Sequence, residues 1–140
     1  MQTLMRFAIA TVIFGMLPAL VSASASAAWV MVSVSAAGST YVDTATIRRV
    51  GDIVTMSEMT DYKIVADSTY AYKSVRRSYE FDCKTKRFQM LSTTGYAGRM
   101  GKGDTVISAD GPAAEWRQVI AGSVGEILWK VACARRGRTV

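Results

Sequence analysis

The chain has 140 residues, 50% of them hydrophobic and 20% charged, with a formal net charge of +6, two cysteines and no histidine. That is one domain's worth of chain, too apolar for a disordered segment. Without histidine it excludes Ser-His-Asp triads, Cys-His dyads, HExxH zinc sites and histidine-ligated haem.

The first 27 residues read as a secretory signal peptide. Arg6 is the only charge, Phe7 to Val21 is an apolar stretch broken by Thr11, Gly15 and Pro18, and the small residues Ser22 to Ala28 follow. A basic start, an apolar middle and an Ala-x-Ala end are what a signal peptidase accepts. A membrane anchor calls for about 20 unbroken apolar residues. Cleavage is expected after Ala27, with Ala25 and Ala28 as neighbouring alternatives. That leaves 28–140 as a single β-rich domain with no transmembrane segment after signal removal. Cys83 and Cys133 allow one pairing, and in an oxidising compartment a disulfide between them is expected. The loop it closes, about 50 residues, corresponds to roughly 4 kcal/mol in the chain-entropy estimate.

The mature chain alternates mostly with period two. Trp29 to Ser35 reads as a strand with Val30, Val32 and Val34 on one well-buried side. Ala36 to Ser39 is a turn, Tyr41-Val42-Asp43 is extended, and Thr44 to Arg49 is either strand or a single helical turn. Gly51-Asp52 is a turn before a long strand, Ile53 to Tyr62. Residues 63–73 read as a loop with extended ends. Ser74 to Cys83 is a strand whose Val75, Tyr79, Phe81 and Cys83 share one face. Arg77 falls on that apolar face, so it is expected near the strand end or snorkelling to water. Lys84-Thr85-Lys86 is a hairpin loop and Arg87 to Thr94 the returning strand.

Gly95 to Asp104, with four glycines, reads as a flexible connection. Thr105 to Ser108 is a short strand, Asp110-Gly111-Pro112 a turn, and Trp116 to Ile120 extended. Ser123 and Glu126 match a capping box. Val124, Ile127, Leu128 and Val131 then recur at helical spacing as a stripe able to pack on a sheet. Cys133 lies about 180° from Val124 around such a helix. A bond to Cys83 therefore requires the helix to end or bend near Ala132, or to be buried on two sides. Arg135-Arg136-Gly137-Arg138 reads as a solvated tail. The fold class is α+β, mainly β: an antiparallel meander of about six strands with one C-terminal helix packed on it.

Few motifs carry chemistry. Gly101-Lys102-Gly103-Asp104 lacks the first glycine and the hydroxyl residue of a phosphate loop. No SxxK element is present, and no carboxylate pair is singled out as an acid–base couple. No metal, cofactor or catalytic residue is assigned, and the protein is read as a non-enzyme. Lys73, Arg76, Arg77, Lys84, Lys86 and Arg87 set six positive charges against Glu80 and Asp82. If the two strands pair, several of these charges gather at one end of the sheet. Arg76, Lys84, Lys86 and Arg87 are the candidate site for an anionic partner, such as a sulfated glycan or an acidic protein surface. Nucleic acid is not expected, since no binding motif accompanies the charge. The tyrosines (Tyr62, Tyr70, Tyr72, Tyr79, Tyr96) and the tryptophans are candidate anchors or core aromatics.

The order of several features resembles the bacterial surface-adhesin protein E-like family. These are Trp29 opening the first strand, Tyr41-Val42-Asp43, Ile47-Arg48-Arg49, Asp61-Tyr62 and Tyr79 to Cys83. Trp116, Gly122-Ser123 before the last helix, and Cys133 complete the series. The resemblance implies a small exported domain of a Gram-negative bacterium, an antiparallel sheet with a C-terminal helix and a cysteine pair. It also implies adhesion to host matrix and plasma proteins. The namesake is lipid-anchored, and no cysteine near Ala27 is available to carry a lipid. The alternative expectation is a soluble periplasmic accessory protein whose partner is another envelope protein.

Overall fold

The structure is a computed structural model and describes residues 28–64, 71–111 and 115–134. The leader 1–27, the middle of the 63–73 loop with Tyr70, Pro112 and the arginine tail lie outside the described residues. The elements in chain order are β1 (Trp29–Val34), β2 (Gly38–Val50), β3 (Ile53–Tyr62), β4 (Ser74–Asp82), β5 (Arg87–Tyr96), β6 (Thr105–Asp110), β7 (Arg117–Gln118) and α1 (Val124–Ala134). β1 to β6 pair antiparallel in chain order, and β7 adds to the start of β5. This is the expected meander with its C-terminal helix.

Strand register builds the core. Val54 stands opposite Phe81, and Phe81 opposite Phe88, so three strands deliver their bulk to one level of one face. The rings of Tyr79, Phe81 and Phe88 lie 5.8–6.3 Å apart. Leu128 and Ala132 of α1 close over Val42, Ile47, Val54, Met56 and Phe81. At this burial each large side chain contributes about 1.5–3 kcal/mol.

Three expectations change, and one choice left open is settled. β1 is a sheet edge with a register slip between Met31 and Ser33, so its valines do not form a buried row. Val30 is 46% and Val34 60% exposed, and only Val32 packs on the core. Thr44 to Arg49 belongs to β2 as strand across a bulge, where the Thr46 hydroxyl accepts the Ser57 N–H at 2.9 Å in place of a ladder carbonyl. Of Trp116 to Ile120, only Arg117–Gln118 pairs as strand. The glycine-rich connection is tied down rather than flexible. Asp61 accepts from the Arg99 guanidinium at 2.7 Å and from the Met100 N–H at 2.9 Å, while the Ser74 hydroxyl bonds Gly98 O and Gly101 N. Gly101 adopts φ 71°, and a Cβ there would stand 2.9 Å from the Met59 methyl.

The helix is rotated from the expected stripe. Leu128 and Val131 of that stripe pack on the core and Ala132 joins them, while Val124 is 42% and Ile127 36% exposed. Three contacts set this rotation. Cys133 bonds Cys83, Trp129 Nε1 donates to Asp82 O at 3.2 Å, and Arg49 donates to Cys133 O at 3.1 Å. The helix need not end early, because Trp129 and Cys133 flank the buried row, one turn apart. The Ser123 hydroxyl accepts the Glu126 N–H at 3.2 Å, as in a capping box. The Glu126 carboxylate reaches Gly122 N at 2.7 Å, one residue before the usual partner. Replacing both cysteines by alanine is expected to lower unfolding free energy in urea by about 2–5 kcal/mol. A loss below about 1 kcal/mol would show that the disulfide is not what holds α1.

Candidate functional site

The β4–β5 turn is organised by one carboxylate. Asp82 accepts the N–H groups of Lys84 and Thr85, each at 3.0 Å, together with the Thr85 hydroxyl, and pairs with Arg87 at 3.3 Å. These hydrogen bonds, led by the Thr85 hydroxyl and the Thr85 N–H, hold its pKa down at about 2 against the effect of burial. The turn carries Lys84, Lys86 and Arg87 outward. Lys86 Nζ lies 5.1 Å from the centre of the Trp129 ring, and the Arg87 guanidinium 5.5 Å from that of Trp116. Cation–ring contacts of this kind contribute about 0.5–1 kcal/mol at exposed sites. Here they also fix where two charges stand.

The remaining basic residues lie elsewhere. Arg76 sits toward the other end of β4, roughly 20 Å away at the usual strand rise. It is on the face opposite α1, 5.9 Å from the centre of the Trp29 ring. Of the four candidates, the fold therefore gathers Lys84, Lys86 and Arg87 and leaves Arg76 apart. Lys73 precedes β4 at that far end. Each of the three tryptophans has a cation against its ring.

Arg77 belongs to neither group. It stands mid-strand opposite Glu58 on the face that α1 shares. Glu58 is only 2% exposed and pairs with Arg77 at 3.2 Å. Thr60 donates to Glu58 and accepts from Arg77 Nη1, while Nη2 reaches the Tyr62 hydroxyl at 3.3 Å. Burial pushes the Glu58 carboxyl above its ordinary pKa, and the opposing pull of Arg77 and of Thr60 does not cancel it. Burial also works against the charged guanidinium of Arg77. The Glu58 carboxylate, followed by the Tyr62 hydroxyl, outweighs it and keeps Arg77 charged. Tyr79 is raised to about 12, first by burial and then by the Glu58 charge.

This pair floors a pocket of about 290 Å³ beside the start of α1, with Phe81, Phe88, Val124 and Leu128 on its apolar side. Sequence reasoning missed it, although a signal was present. Glu58 and Arg77 are opposite charges on the apolar parity of adjacent strands, and pairing the strands sets them face to face. Among the described residues no group of three or more His, Cys, Asp or Glu side chains is placed to hold a metal. No helix among them is long and apolar enough to cross a membrane.

Residues 29–134 match the surface-adhesin protein E family. Haemophilus influenzae protein E is similar in fold: one crystal structure has 15% identity over 74% of this chain and 83% of that chain, with a TM-score of 0.52. Its selenomethionine form gives 15% identity, 68% and 78% coverage, and a TM-score of 0.50. At this identity the likeness shows the fold alone. Among curated proteins none matches.

Asp82 gives this end of the molecule a pH signature. Its folded pKa, about 2, lies below the usual carboxylate value of about 3.9. Its stabilisation is therefore complete above the unfolded value and is lost as pH falls through the folded one. Urea midpoints of the wild type and Asp82→Asn are expected to converge between about pH 4 and pH 2. A gap that stays constant down to pH 2 would contradict the assignment.

Proposed function

Because the chain belongs to the surface-adhesin protein E family, we propose that it is an exported, non-enzymatic binding module whose basic hairpin end engages anionic partners. Host matrix proteins and sulfated glycans are the partners this surface suits. The observation that carries the reading is that the hairpin end holds Lys86 over Trp129 and Arg87 over Trp116, with Lys84 in the same turn. Charges pinned over rings lose less freedom on binding than free lysines do, and a positive patch speeds encounter with a polyanion. The indoles add flat apolar surface beside the charges, suited to a sugar ring or an aliphatic side chain. Arg76 with Trp29 forms a separate patch toward the other end of β4.

Export of residues 28–140 after loss of the 1–27 leader is part of the proposal. One contact supports cleavage after Ala27. The backbone nitrogen of Ala28 lies 3.2 Å from Asp43 Oδ1, and Asp43 is buried. Cleavage there turns a neutral amide donor into an ammonium facing a buried carboxylate, and charge-assisted hydrogen bonds are the stronger kind.

Two measurements test the reading. Mass spectrometry of the protein from the envelope fraction is expected to give a chain starting at Ala28; a chain retaining residues 1–27 would contradict export with cleavage. In solid-phase binding to heparin, reversing Lys84, Lys86 and Arg87 to glutamate is expected to weaken binding at least tenfold and flatten its salt dependence. Reversing Arg76 alone is expected to cost less than threefold. Unchanged binding in the triple variant would overturn the hairpin as the site. Protein shielded from protease on intact cells would overturn adhesion in favour of a role inside the envelope.

A further inference from the structure

We propose that the pocket between α1 and the Glu58–Arg77 pair is a second binding site, which takes one apolar side chain of a protein partner together with its adjoining peptide group. The inference rests on the reading of the chain as a protein-binding module, but on a different surface from the hairpin.

The pocket follows from a mismatch of lengths. α1 has 11 residues and β3 has 10. At the usual rises these span about 16 Å and about 33 Å, so the helix leaves roughly half of the sheet face uncovered. Val54, Met56 and Phe81 lie under α1. Glu58, Thr60 and Arg77 lie just past its start, and the step between the two regions is the 290 Å³ concavity. Ligand pockets begin at about 300 Å³, so this one has room for a single large side chain.

Its chemistry names the guest. One wall is Phe81, Phe88, Val124 and Leu128, which favours an apolar body. The opposite wall is an ion pair with no net charge, flanked by Thr40 and Tyr79. A carboxylate that approaches Arg77 meets Glu58, and an ammonium that approaches Glu58 meets Arg77. A peptide group offers a donor and an acceptor together without net charge, and it matches both partners. Arg77 has donors to spare for it. Nη1 serves Glu58 and Thr60 and Nη2 serves Tyr62, which leaves Nε–H and one Nη2–H without a partner among the described residues.

A buried ion pair can often be replaced by apolar groups of similar volume without loss of stability, so the pair is weak evidence of a stabilising role. Charged groups perturbed by burial and by a specific partner, sitting in a cleft, make a functional-site candidate.

The test is a titration of the full mature protein, followed by amide NMR, with N-acetyl-phenylalaninamide as the neutral probe and phenylacetate and phenethylammonium as charged ones. The neutral probe is expected to shift the amides of Thr60, Val124, Gly125 and Leu128, with a dissociation constant at least tenfold below those of the charged probes. Val124→Trp places an indole at the rim of the pocket while leaving Glu58 and Arg77 in place, and is expected to weaken the neutral probe at least tenfold. The Glu58→Met/Arg77→Met double variant keeps volume and leaves no buried charge alone. It is expected to abolish the preference for the neutral amide over the charged probes. No shift in these amides, or a Val124→Trp variant that binds like the wild type, would overturn the pocket. A charged probe binding more tightly than the amide would overturn its assignment to a peptide group. Heparin binding is expected to be unchanged in Val124→Trp, so loss of one site is distinguishable from loss of the other.

Discussion

The clamp between the end of β4 and the end of α1 is the constraint on which the other features depend. The disulfide ties Cys133 to Cys83, and the Trp129 indole donates to the carbonyl of Asp82, the residue before that cysteine. Arg49 closes the last helical turn through the Cys133 carbonyl, where a positive charge also suits the helix dipole. With the helix end fixed at three points, its rotation has no freedom left. Leu128 and Ala132 must face the sheet, and Ile127 must look outward. The same clamp sets Trp129 under Lys86, so the constraint that shapes the core also places charge on the surface.

The two candidate surfaces follow from where the clamp sits. It anchors α1 over the hairpin end of the sheet, which is therefore the rigid end. There Asp82 uses its carboxylate to order the turn and its carbonyl to hold the helix. Away from the clamp the helix runs out before the strands do. The uncovered face would be a liability if it were wholly apolar, since exposed apolar patches invite association. Instead it carries Glu58 and Arg77, hydrogen-bonded to Thr60 and Tyr62. On the opposite face the far end is closed differently, by the 3-10 turn at Arg99–Gly101 anchored to Asp61 and Ser74.

Much of the fold was legible because alternation and turn chemistry agree along most of the chain. Ile53 to Tyr62 and Ser74 to Asp82 stand as strands near their expected ends, and the Lys84-Thr85-Lys86 hairpin and Ser123 cap fall where read. The failures share a cause: local pattern does not report tertiary position. Val30 and Val34 alternate like core residues, yet nothing local says that β1 is an edge. The stripe from Val124 fits helical periodicity, but the disulfide and Trp129 turn the helix so that Ala132 packs with Leu128 and Val131 while Val124 and Ile127 stay exposed. The four glycines from Gly95 suggest looseness, and the side chains that hold them, Asp61 and Ser74, lie far back in the sequence. For the sites, the basic run was visible as charge. Its division among Arg76, Arg77 and the hairpin end needed the alternation of β4 and the two tryptophans brought in by β7 and α1.

The clamped hairpin end is the proposed surface for the partner. Hydrogen exchange of the mature protein with and without a heparin oligosaccharide tests it most directly. Slowed exchange is expected in residues 83–88 and 115–119, with the far half of β3 and β4 unchanged. Protection centred on Trp29 and Arg76 instead, or no protection anywhere under conditions where the oligosaccharide binds, would contradict it.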